Sequence, residues 1–178
     1  MDALVQLRRI AKALHDVRLE AIMLGNAAAA LQGAPVTTLD FDFFYRRTPT
    51  NIRKLKELTL ALGGTLLTPY YPVSTMLRLE VDVPPLQVDF LSTASAVRSL
   101  ESLRSRSVEF VIGSYTLHLA SLEDIIKSKA AAGREKDLAS LPVLRRTLRE
   151  LHQHGRENQK TSKSKRRASS AASRKRNS

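Results

Sequence analysis

Two carboxylates two residues apart, Asp40 and Asp42, sit in the run Thr37-Thr38-Leu39-Asp40-Phe41-Asp42-Phe43-Phe44. Leu39, Phe41 and Phe43 alternate with them, which is the period of a strand. Residues i and i+2 of a strand share a face, so the two acids are expected side by side in front of an apolar layer. Neighbouring carboxylates repel and raise each other's pKa. A hard dication bound through oxygen relieves that repulsion, and Mg²⁺ is commonly held by one or two carboxylates together with phosphate oxygens and water. The plain alternative is an exposed strand face carrying two solvated acids.

What precedes the acids supplies the phosphate side of such a site. The apolar run Ala21 to Leu24 ends in Gly25-Asn26, and a small-residue helix, Ala27 to Gln32, follows. Backbone N–H groups at the start of that helix form an anion site. Ala27 to Ala30 let another backbone or a ligand come close, although tight packing on a sheet explains the alanines equally well. A Gly-Ala-Pro turn then leads to the acidic strand about fifteen residues after Gly25, which lets the two strands be neighbours with the loop beside the acid pair. A third acid, Asp89, lies in Leu86–Leu91 among apolar neighbours, where an unpartnered carboxylate is costly.

The stretch GNAAAALQGAPVTTLDFDFF resembles the signature of the nucleotidyltransferase (polymerase-beta-like) superfamily: a glycine-rich loop, a helix, then an acidic DxD pair. It is most similar to the small bacterial branch that includes AbiEii-type toxin nucleotidyltransferases. Thr38, Asp40 and Asp42 match that pattern. Asn26 stands where a second glycine is usual and Val36 where an arginine is usual. A second resemblance lies in LEDIIKSKAAAGREKDLASL, where Lys129, Arg134 and Asp137 fall on matching positions and Ser140 stands near a usual later acid.

The resemblance implies a nucleotidyltransferase-like fold and a metal-dependent nucleotidyltransferase using Mg²⁺ or Mn²⁺. Asp40, Asp42 and Asp89 would be its catalytic and metal-holding carboxylates, Asp89 being preferred over Asp82, which abuts Pro84-Pro85 at a strand end. Gly25, Asn26, Thr38 and Lys129 would bind the NTP, while Arg134 and Asp137 would brace the last helices. It also implies an RNA 3′ end as the favoured acceptor, a small antibiotic-like alcohol or a protein hydroxyl as others, and a possible partner protein in a toxin–antitoxin or defence pair. Asn26, Val36 and the missing late acid support the opposing expectation of a catalytically silent nucleotide-binding or protein-interaction module on the same fold.

The elements that must position these residues can be read in order. Apolar spacing predicts helices over 2–16, 26–33, 51–62 (capped by Thr50), 95–106, from Ser121 to Gly133, and about 135–153. It predicts strands over 18–24, 38–45, 65–68, 76–83 and 86–91, and a hairpin of Glu109–Ile112 with Tyr115–Leu119 around Gly113-Ser114. The chain is therefore expected to be α+β, with helices packed on a mixed central sheet.

Of the 178 residues, 43% are hydrophobic, enough for a core, and none is cysteine, which removes disulfides and thiolate metal sites. The four histidines make no site: His152 and His154 diverge on a helix, and His15 and His118 are isolated in sequence. No run reaches the roughly 18–20 apolar residues of a membrane span, and the amphipathic N-terminus is unlike a signal peptide, so a cytoplasmic protein is expected. The net charge of +12 is unevenly spread: residues 156–178 carry nine Lys or Arg and one Glu, +8, leaving +4 for residues 1–155. The expectation is a folded domain over 1–155 and a disordered polybasic tail over 156–178, suited to RNA or another polyanion.

Overall fold

The computed structural model describes residues 3–38, 40–69 and 74–176, with side chains through residue 155. Leu39 of the acidic strand and residues 70–73 of the Pro-Tyr-Tyr-Pro turn lie outside the described residues. The order is α1 (Ala3–Asp16), β1 (Ala21–Leu24), α2 (Gly25–Leu31), β2 (Asp40–Tyr45), α3 (Pro49–Leu62), β3 (Thr65–Leu67), β4 (Leu77–Val81), β5 (Leu86–Leu91), α4 (Leu100–Arg104), β6 (Val108–Ile112), β7 (Tyr115–Leu119), α5 (Leu122–Ala132) and α6 (Glu135–Arg176).

The described strands form one sheet in the order β3-β4-β5-β2-β1-β7-β6. It is mixed: β2 runs parallel to β5 and β1 parallel to β7, while the remaining pairs are antiparallel. The fold is thus the expected α+β architecture. All four residues of β1 are buried, as suits a central strand covered on both faces. β4 alternates instead, with Leu77, Leu79 and Val81 buried and Arg78 and Glu80 partly exposed. Phe43 stacks on Phe90 with ring centroids 5.8 Å apart, and Tyr45 meets Phe90 edge-on at 6.1 Å, joining β2 to β5 through aromatic packing. No described helix is long and apolar enough to cross a membrane.

Several boundaries differ from expectation for local reasons. α3 starts at Pro49, and its cap is Thr48, whose hydroxyl accepts the Asn51 N–H at 3.1 Å. Proline suits the first helical position because the N–H it lacks has no intrahelical partner there, so the helix begins ahead of Thr50. The helix expected over 95–106 shrinks to α4, capped by Ser99. Ahead of it Ala96 takes a left-handed φ of 60°, and the Ser/Thr-rich stretch before it favours local turns over helix. β1 begins at Ala21 rather than residue 18 because α1 ends in a tight reversal. There Arg18 has φ 51°, and the Leu19 N–H returns to the Leu14 carbonyl at 3.0 Å. The backbone of α6 is helical as far as Arg176. Its Ala, Lys, Arg and Gln residues favour helix, and no glycine or proline follows Gly155. The side chains of 156–176, and residues 177 and 178, lie outside the described residues.

Candidate active site

Three central strands bring the acidic residues together. In register, Leu24 of β1 faces Asp42 of β2, and Asp42 faces Asp89 of β5. The β1–α2 junction, Asp42 and Asp89 therefore lie in a row across the middle of the sheet. Asp40 is two residues from Asp42, exposed at the start of β2. They line one cavity of about 830 Å³, together with Gly25, Asn26, Thr38, Lys129 and the cations Arg78, Arg134 and Lys136. Asp82 is exposed in the turn between β4 and β5 and does not line the cavity.

Gly25 is required twice over. Its φ is +68°, a left-handed value that favours glycine. A Cβ added there would overlap Oδ2 of Asp42, so the strand end lies directly against that carboxylate. The next residue, Asn26, has its Oδ1 buried with no hydrogen-bond partner among the described residues. Amide oxygen and nitrogen are interchangeable by a flip, and the amide offers either a donor or an acceptor to a group entering the cavity. Thr38 accepts the Asp40 N–H on its hydroxyl at 3.2 Å, a local turn that fixes the entry to β2.

The electrostatics differ from acid to acid. Asp42 has its pKa raised to about 6, first by burial and then by the charges of Asp89 and Asp40, with Lys129 and Lys136 opposing. A carboxylate placed so that it resists ionisation gains from a cation. Asp89, only 6% exposed, already has one. Arg78 donates from Nε to Oδ1 at 2.8 Å and from Nη2 to Oδ2 at 2.9 Å. Lys129 is likewise engaged: it donates to Oδ1 of Asp137 at 3.0 Å, and Arg134 donates to the other oxygen. Burial pushes Asp137 up, but the bonds from Arg134 and Lys129 outweigh it and hold its pKa below the ordinary carboxylate range.

Among the described residues no three His, Asp or Glu side chains are already grouped to hold a metal ion. Asp89 is bound to Arg78, which leaves Asp40 and Asp42 as the acids suited to a dication. That pair fits a hard ion completed by phosphate oxygens and water, and the unpartnered Asn26 amide and the space kept by Gly25 fit a phosphate beside it.

Sequence reading singled out neither Arg78 nor Lys136. The signal for Arg78 was available: a four-residue turn over 82–85 places Arg78 opposite Asp89. Lys136 lies between Arg134 and Asp137 in the segment of the second resemblance, whose pattern includes a lysine there, but no role was read for it.

No protein-family profile matches the chain, and no curated protein matches it in sequence. Solved structures do resemble it. The solution structure of the antibiotic-resistance factor ANT(2'')-Ia superposes with a TM-score of 0.55 at 14% identity, over 89% of this chain and 93% of that one. The crystal structure of ANT(2'')-Ia in complex with adenylyl-2''-tobramycin gives 0.55 at 18% identity, over 82% and 88%. An antigenic nucleotidyltransferase-like protein from Paracoccidioides brasiliensis gives 0.49 at 17% identity, over 79% and 74%. The chain has the nucleotidyltransferase-like fold.

Proposed function

We propose that this chain transfers a nucleotidyl group from an NTP to a hydroxyl acceptor, using Mg²⁺ or Mn²⁺ held by Asp40 and Asp42. The observation that carries this reading is the placing of Asp42. It lies against the β1–α2 glycine, next to Asp40 and Asp89, in a cavity rimmed by cations. When bound, the dication neutralises phosphate charge and stabilises the oxygens of an in-line displacement. The chain's own residues do the rest. Gly25 leaves room for the phosphates, and the Asn26 amide and Thr38 hydroxyl hydrogen-bond to them. Lys136 offsets their charge, with Lys129 joining when its bond to Asp137 yields. Asp89 stays tied to Arg78 and fixes the floor of the site from β5.

The favoured acceptor is an RNA 3′ end. Four acids line the cavity, Asp40, Asp42, Asp89 and Asp137, against four cations, Arg78, Lys129, Arg134 and Lys136. Two of the acids are neutralised by hydrogen-bonded cations, and the two left are those suited to the metal. No acidic wall remains for a polyamine such as tobramycin, whose adenylylated form is bound in the ANT(2'')-Ia complex. The rim and the +8 tail favour a polyanion. A toxin–antitoxin or defence role with a protein partner, in the cytoplasm, rests on the motif resemblance, and co-purification from the native host tests it.

The second reading is a silent nucleotide-binding module, favoured by the engagement of Asp89 and Lys129 with protein partners. One experiment separates the two. The protein is incubated with Mg²⁺, each alpha-phosphate-labelled NTP, and either total RNA or tobramycin, beside the double variant Asp40→Ala/Asp42→Ala. Label on RNA that is lost in the variant supports the first reading. Label on tobramycin replaces the acceptor. Saturable NTP binding without product supports the silent module.

A further inference from the structure

A second cavity, of about 530 Å³, lies at the opposite end of β1 from Gly25. Leu14, Leu19 and Leu117 give it an apolar floor, and Arg18, Arg104 and His118 line it as well. Glu20 is the one acid lining it, 4.0 Å from Nε of Arg104 and so beyond hydrogen-bond reach. The volume falls in the range of ordinary small-molecule sites.

Two independent features mark this cavity. The first is Arg18. The Arg18 N–H donates to the His15 carbonyl and the Leu19 N–H to the Leu14 carbonyl, both at 3.0 Å, with Arg18 at φ 51°. That helix ending places a left-handed residue where glycine is the unstrained choice. The helix end does not need this side chain, since Lys54 already donates to the Arg18 carbonyl at 2.6 Å. The guanidinium has no hydrogen bond or ion pair among the described residues. The second is His118, whose ring lines the cavity; its Nδ1 is shielded from solvent without a partner among the described residues, which leaves Nε2 as the nitrogen open to a ligand. Burial, then the charge of Arg104, lowers its pKa against the opposing pull of Glu109 and Glu20. At neutral pH the ring therefore carries a single N–H.

We infer that this cavity binds a small organic phosphate. Two guanidiniums and one imidazole N–H, set against the single carboxylate of Glu20, leave a net positive lining for the terminal oxygens of a phosphomonoester, and guanidinium binds such groups bidentately. The leucine floor takes the organic part. The site is separate from the active-site cavity, and no residue lines both.

Phenyl phosphate, titrated into the full-length protein and followed through the ring resonances of its four histidines, tests this. Saturable movement of the His118 signals is expected, at least tenfold weaker in Arg18→Gly and in Arg104→Gln. Because glycine suits the backbone at position 18, Arg18→Gly should unfold at the same temperature as the parent or higher, which separates lost binding from lost folding. Asp40→Asn/Asp42→Asn should bind phenyl phosphate at this site as tightly as the parent. The site therefore stands or falls apart from the transferase reading. No movement of His118, unchanged affinity in Arg18→Gly, or loss of the His118 response in the double Asn variant would overturn it.

Discussion

Arg78 and Asp89 face each other across the β4–β5 hairpin, and the guanidinium donates two hydrogen bonds to the carboxylate, at 2.8 and 2.9 Å. A bidentate guanidinium–carboxylate pair with the acid buried is costly to halve. Arg78→Met should cost roughly 3 kcal/mol of stability, since it leaves Asp89 charged and uncompensated beside Asp42. It also offers Asp89 to a dication. Mn²⁺ should therefore raise the unfolding temperature of Arg78→Met by more than it raises the parent's, as read by thermal denaturation with and without metal. An equal rise in both would mean that Asp89 never meets the ion.

Gly25→Ala combines a disfavoured left-handed backbone with overlap on Oδ2 of Asp42. We expect about 1–3 kcal/mol of destabilisation from the backbone alone and a loss of transferase activity out of proportion to it. Activity within twofold of the parent, measured under conditions where the variant is folded, would show that the acid does not need its present position.

Asp42 and Asp137 should bend the stability–pH curve in opposite senses. The Asp42 pKa is raised from 3.8 to about 6 in the folded protein. The folded state therefore keeps a proton that the unfolded chain has released between about pH 4 and pH 6, and stability falls as pH rises through that window, by up to about 3 kcal/mol. Asp137 is held low, so its contribution is present above the ordinary carboxylate pKa of about 4 and is lost as pH falls below it. Denaturant titrations from pH 3 to 8 should show Asp42→Asn flattening the first slope and Asp137→Asn the second. Mn²⁺ should bind the parent more tightly as pH rises from 5 to 7, because the ion competes with the Asp42 proton.

Asp137 is 2% exposed and holds both Lys129 and Arg134. Asp137→Asn should cost on the order of 3 kcal/mol, mainly by loosening α5 from α6, and should release Lys129 into the cavity. If Lys129 serves the phosphates only after that release, NTP affinity rises in the variant while stability drops. Isothermal titration beside a melting curve reads both.

Removing residues 156–178 takes away nine of the 29 cations but no apolar residue larger than alanine. The unfolding temperature should change by less than about 2 °C, on the scale of a surface change of a few tenths of a kcal/mol. Affinity for RNA should fall, and its dependence on salt should flatten, by filter binding across a salt series.

The acidic strand, the glycine that opens α2, and the hairpin β6–β7 were legible because each is written in a short local pattern: alternation around Asp40 and Asp42, and Gly113-Ser114 between two strands. Asp89 was legible as an acid in apolar company. Its bond to Arg78 was not drawn, because it depends on a register across a turn rather than on any pattern within one strand. The Thr48 cap was missed because Pro49 reads as a turn residue, although the first position of a helix is where proline costs least. The overlong helix at 95–106 was read from its basic residues through a stretch whose serines and left-handed Ala96 delay its start to Leu100. Lys129 shows the limit of motif reading: its position follows the pattern, but which carboxylate claims it is decided by how α5 folds back on α6.

The order of strands also decides how the molecule can come apart. β3 and β6, the two rims of the sheet, flank the whole array, while β5, β2 and β1 lie inside it with neighbours on both sides. Opening from the β6 rim peels away β6, β7 and β1, none of which carries a site acid, before it reaches Asp42, and opening from the β3 rim meets Asp89 on β5 only after β3 and β4 have gone. Backbone amides around Phe43 and Val88 should then be among the last to exchange with solvent, and those of β3 and β6 among the first. Breathing at the margins leaves the acidic centre closed, so the chain can flex at its edges without scrambling the chemistry in the middle.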